Sequence, residues 1–186
     1  MRKTVVTTLF VLMAVLAYAQ AAPVTITKTE KTYTFKNVSN KAIMLVVADQ
    51  AWGQNGQTTA GVLDFLFKAR GFAPGDTQDQ DSDSSSMTLT FAQFSDGTTW
   101  GTSSGKSAQE ALAKRTARLK VLPALANAAN ETDFTAALAQ PQTDPDAKIV
   151  QRMYQMDVQS SGATVAMNAA KLRWSVAQSR VNLWKF

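Results

Sequence analysis

The chain contains no cysteine and no histidine. The first absence removes disulfides, thiolate nucleophiles and thiolate metal ligands. The second removes the usual neutral-pH general base and the commonest imidazole ligand for first-row metals. Zinc hydrolases, Ser-His-Asp enzymes and cysteine enzymes are excluded together. With no cysteine before a cleavage point, thioether lipidation of a new N-terminus is excluded as well. After the N-terminal segment no run of 18 apolar residues occurs, so no membrane span is expected in the mature chain. No internal repeat stands out.

What is present begins with an export signal. Arg2 and Lys3 form a positive start, Thr4 to Leu16 are apolar apart from threonines, and Ala17-Tyr18-Ala19 fits an A-x-A cleavage site. Residues 1–19 therefore read as a signal peptide, with cleavage after Ala21 or Ala22 as an alternative, and the protein as secreted or periplasmic. The remaining 167 of the 186 residues suit one domain, or a small domain with an appendage. A secreted chain of this length buries enough core to fold without disulfides. Charge is split unevenly: residues 20–104 carry 6 Lys+Arg against 8 Asp+Glu, and residues 105–186 carry 11 against 6. Such a step suggests two structural halves with different surfaces.

Residues 20–104 read as strands. Tyr33 and Phe35 alternate with Thr34 and Lys36, and Ile43 to Ala48 suits a central strand. Asn55-Gly56 marks a turn, and in VLDFLFKARG, with Val62, Phe65 and Phe67, strand is favoured over short helix. Gly71-Phe72-Ala73-Pro74-Gly75 breaks the chain, DTQDQDSDSSS reads as a polar loop, and alternation returns at Met87, Leu89 and Phe91. The pattern predicts an antiparallel β-sandwich.

Residues 105–186 read as α-helical, giving an α+β fold. Ser107 and Glu110 fit a capping box, and Pro123 should disrupt the helix that follows. Asn130 suits a cap, and Asp144-Pro145 a helix start. Ile149, Met153 and Met156 make an apolar stripe up to Gly162, and Val165, Ala169, Leu172, Val176 and Leu183 make a longer one, widened by Trp174, Val181 and Trp184. The two tryptophans read as helix–sheet anchors. Helices with stripes this thin need a partner surface: the sheet, each other or a second protein.

Three constellations carry possible chemistry. Gly101 to Ser107 imitates a phosphate-binding loop, but the first glycine falls one residue short and an antiparallel strand precedes it, so no nucleotide is expected. Asp79, Asp81 and Asp83 have the alternate spacing that can surround calcium, although the EF-hand pattern fails at Ser84 and Thr90. Trp52, Phe94 and Trp100, near strand ends, offer a glycan or ligand platform with Asp49, Asn55 and Asp96 as hydrogen-bonding partners. Lys114, Arg115, Arg118 and Lys120 cluster without interleaved aromatics, which argues against nucleic acid. No residue pair reads as catalytic, no cofactor other than calcium is suggested, and an outer-membrane barrel lacks the strands it would need.

The stretch from Tyr33 to Ile43, the break from Gly71 to Gly75 and Phe94-Ser-Asp96-Gly97-Thr-Thr-Trp100-Gly101 together resemble exported bacterial domains with an immunoglobulin-like sandwich. The resemblance covers residues 24–104, departs from many such domains at Ala42, where they have proline, and brings no catalytic residue. The sequence thus points to a non-enzymatic structural or interaction module of the cell envelope, engaging an envelope or extracellular protein through the C-terminal helices. The alternative is a calcium or glycan module using the loop end of the sandwich.

Overall fold

The computed structural model describes residues 21–53 and 57–185. The segment read as a signal peptide and the turn expected at Asn55-Gly56 lie outside them. Among the described residues seven strands are followed by four helices in a mixed α+β fold. One antiparallel sheet has the order β1 (Val24–Thr29), β2 (Thr32–Asn37), β5 (Thr77–Asp81). The other runs β4 (Gln57–Asp64), β3 (Ile43–Trp52), β6 (Ser86–Phe94), β7 (Thr99–Gly101). Their facing sides enclose Tyr33, Phe35, Val46, Phe65, Phe72 and Phe94, with Phe65 and Phe72 stacked at 4.9 Å.

Strand β3 is buried from Ile43 through Ala48 because both its faces are covered. Val46 and Ala48 point between the sheets; Leu45 and Val47 meet Ala108 and Ala111 of α1 (Lys106–Ala126). An irregularity in the β3–β6 pairing between Ile43 and Leu45 reverses the alternation, so Ile43 joins the inter-sheet core while Met44 faces the helices. The helical core gathers α1, α2 (Glu131–Ala139), α3 (Pro145–Ser161) and α4 (Ala163–Gln178) around Leu122, Phe134, Tyr154 and Ala170. Among the described residues no helix is long and apolar enough to cross a membrane.

Asn130 caps α2 by accepting the Asp133 N–H, and Asp144 caps α3 by accepting those of Asp146 and Ala147. Other expectations need correction. The stretch read as a polar loop contains β5, which has no apolar residue. As an edge strand it is held by pairing with β2 and by Thr32 and Thr34, which donate to Asp81 and Asp79. Strand β4 stops at Asp64, whose carboxylate accepts the Leu66 N–H and turns the chain, so Phe65 and Phe67 lie in a buried turn instead of a strand. Helix α1 starts at Lys106 with Gly105 as cap and no side-chain capping bond; the Ser107 hydroxyl reaches across to the Asp49 carboxylate. Pro123 sits inside α1, near enough to its end that losing one backbone bond is outweighed by burial of Val121, Leu122 and Leu125. The final periodic run breaks after Gln178. A 3-10 turn at Val181–Leu183 folds Trp184 back onto Trp174 at 5.7 Å, so the tryptophans pack on each other.

Candidate functional site

A buried ion pair sets the position of the site. Arg115 is fully buried on the face of α1 that carries Ala111 and Leu122, and a guanidinium there must find acceptors for all its donors. It finds five. Nε and one Nη2 hydrogen grip Asp64 at 3.2 and 2.9 Å, and Nη2 also reaches the Met44 carbonyl at 3.3 Å. Nη1 donates to Gln93 at 2.6 Å and to the Leu183 carbonyl at 2.8 Å. One side chain thereby joins β3, β4, β6, α1 and the C-terminal turn.

One turn further along α1, Arg118 emerges beside that hub and borders a cleft of about 290 Å³. The floor is apolar, with Phe67, Leu122, Val150 and Tyr154, and the walls are charged, with Lys68, Arg118, Asp157 and Arg173. Arg118 lies over the Phe67 ring at 5.6 Å, and Arg173 lies over Tyr154 at 5.2 Å while pairing with Asp157 at 3.6 Å. Burial works to lower the Arg173 pKa, but Tyr154 and Asp157 raise it and the net shift is upward. Arg118 also borders a smaller recess of about 110 Å³ with Val62, Asp64 and Lys114. Met153 lines the larger cleft and belongs at the same time to the outer surface of α3, where Ile149 is 58 %, Met153 42 % and Met156 54 % exposed. Val165 and Leu172 are exposed on α4. The stripe read from the sequence thus faces outward, because Ala147, Val150 and Tyr154 form the inner face of α3.

The residues singled out for calcium do not converge. Asp79 and Asp81 accept hydrogen bonds from Thr34 and Thr32 along β5, and Asp83 pairs with Lys31. Among the described residues no group of three or more His, Cys, Asp or Glu could hold a metal. The proposed platform is divided. Trp52 lies at the far end of β3 from Ile43, the partner of Phe94, about 30 Å away at the rise of a strand. Its indole N–H donates to Thr59. Phe94 is buried beneath the Lys41 ammonium, and partly buried Trp100 packs on the core between the two sheets. Asp49 is engaged by Ser107 and Asp96 by Lys41, and Asn55 lies outside the described residues. The four clustered cations separate too: Arg115 inward, Lys120 onto Asp144, and Lys114 and Arg118 onto the recesses.

Phe67, Lys68 and Tyr154 escape a reading of the sequence as site residues, since nothing local brings 67, 118 and 154 together. The available signal was an arginine set among Ala108, Ala111 and Leu122 at helical spacing, which calls for a buried acid. No family model, no curated protein and no solved structure matches this chain.

Proposed function

We propose that the chain is an exported, non-enzymatic interaction module of the cell envelope, an immunoglobulin-like sandwich whose helical layer docks another protein. The observation that carries the reading is the outward stripe Ile149, Met153 and Met156, three large apolar side chains in a row on one helix that already buries its opposite face. Adjacent exposure of this kind marks contact surfaces more often than isolated apolar residues do. Strand order supports the immunoglobulin-like reading, because β1-β2-β5 faces β4-β3-β6-β7 with consecutive strands crossing between the sheets. Both carboxylates of the cleft are held by arginines, Asp64 by Arg115 and Asp157 by Arg173, so the charge the cleft offers a partner is that of Arg118 and Lys68.

A photoreactive amino acid placed at Met153 or Met156 in producing cells should give a discrete protein adduct, whereas the same group at exposed Thr27 on β1 should give none. Sequencing of the protein recovered from the envelope or medium should begin between Gln20 and Pro23. Equal labelling at all three positions, or none at the α3 positions, would remove the docking reading. An intact Met1 on cytosolic protein would remove export.

A further inference from the structure

We infer that the segment received by this surface is acidic and apolar, seating one aromatic or branched aliphatic side chain in the cleft while a neighbouring carboxylate pairs with Arg118. This rests on the docking reading above and adds the chemistry of the partner. Arg118 is partly buried, yet among the described residues its guanidinium has no hydrogen bond or ion pair, only the Phe67 ring beneath it. Arg173 and Arg180, by contrast, are engaged by Asp157 and by backbone carbonyls. A guanidinium lying on a ring keeps its in-plane N–H fork free, and that fork matches a carboxylate.

The size of the cleft narrows the occupant. At about 290 Å³ it falls just below the range of roughly 300–1,000 Å³ for sites that enclose a drug-sized molecule. It suits one anchoring side chain of a longer segment. Met153 continues the cleft wall onto the outer face, with Ile149 and Met156 one helical turn to either side, so a chain leaving the cleft runs directly over them. The surrounding charge is positive. Lys114 stands beside Arg118, and exposed Lys148 and Arg152 flank the stripe, none with an ion pair among the described residues. Asp157 already answers Arg173. An acidic segment is attracted across this whole surface, and a basic one is repelled.

The test uses the purified protein and a random 12-residue peptide library displayed on phage. Enriched peptides should be net negative and carry Asp or Glu within a few residues of Phe, Trp, Leu or Ile. A labelled enriched peptide should bind in fluorescence anisotropy and weaken as salt rises. Arg118→Ala should lower its affinity about tenfold or more, as loss of a charge-assisted hydrogen bond does. Met153→Glu should weaken it comparably, and Arg118→Lys, which keeps the charge but not the fork, should restore only part. Melting temperatures near that of the parent would show that these surface variants remain folded. Enrichment of basic or uncharged peptides, or unchanged affinity in Arg118→Ala, overturns the acidic partner. So does a library that enriches nothing while laurate binds saturably, which would assign the cleft to a fatty acid. Photo-adducts at Met156 alongside any of these results would leave docking intact and remove only its chemistry; absence of both adducts and peptides would remove both.

Discussion

Replacing Asp64 by alanine tests whether the Arg115 hub organises the molecule. The substitution takes the Asp64 carboxylate from a fully buried guanidinium, and the acceptors that remain among the described contacts, Gln93 and the Met44 and Leu183 carbonyls, are all neutral. Breaking a buried pair by removing one partner costs about 3–5 kcal/mol, because the remaining charge is uncompensated. For a chain of this size each kcal/mol corresponds to roughly 2–4 °C, so Asp64→Ala should lower Tm by about 6–20 °C. Arg115→Ala should cost at least as much. It strands the Asp64 carboxylate and deprives three further acceptors of their donor, at roughly 1–3 kcal/mol for each that water does not reach. The double variant Asp64→Leu/Arg115→Met removes both charges and keeps much of the volume, so it should recover a large part of the loss. Urea denaturation followed by circular dichroism, with the four species compared as a cycle, reads out the coupling. A loss below about 1 kcal/mol for Asp64→Ala, or a double variant no better than the sum of the singles, would refute the argument that the pair is buried and mutually dependent.

Two further outcomes follow from glycines and carboxylates. Gly162 and Gly101 both have left-handed φ, 88° and 83°, but a Cβ at Gly162 meets open space while one at Gly101 would stand 2.1 Å from the Thr90 carbonyl oxygen. Gly162→Ala should therefore cost about 1–3 kcal/mol from backbone strain. Gly101→Ala should cost that plus roughly 1–3 kcal/mol of overlap, and equal losses in chemical melts would contradict the close approach of β7 to β6. Asp96 is held well below the usual carboxyl range by Lys41 and then Thr98, and Asp144 is lowered by Lys120 and then the Ala147 N–H. A depressed folded-state pKa gives stability that is complete above the unfolded value near 3.9 and lost as pH falls through the folded values. Calorimetric Tm should thus decline below about pH 4, less steeply in Asp96→Asn/Asp144→Asn, and a variant slope equal to the parent's would contradict these assignments.

Local chemistry was readable in the sequence and long-range geometry was not. Asn130 and Asp144-Pro145 announce their helices because a cap involves only the next three residues. The β2 and β3 strands show in their alternation and β-branched content. Strand β5 is invisible to such patterns, since pairing with β2 fixes it and its own residues are all polar. The spacing of Ile149, Met153 and Met156 is plain, but its direction is not. Helix α3 has a second apolar face at Ala147, Val150 and Tyr154, and contact with α1 and α4 decides which one turns inward. Asp64 and Arg115 are 51 residues apart, so their pairing has no local trace beyond a charge on an apolar face. Arg118 was visible only as one cation of four.

The ties of the C-terminal turn couple both layers of the molecule. Arg115 donates to the Leu183 carbonyl 68 residues later, Gln93 donates to that of Lys185, and Arg180 reaches back to the carbonyls of Phe65, Leu66, Lys68 and Ala69. One short segment thus grips β6, the turn after β4 and α1 at once. Lifting it away strips hydrogen bonds from sheet and helices together, so opening that starts at this turn loosens both layers in a single event.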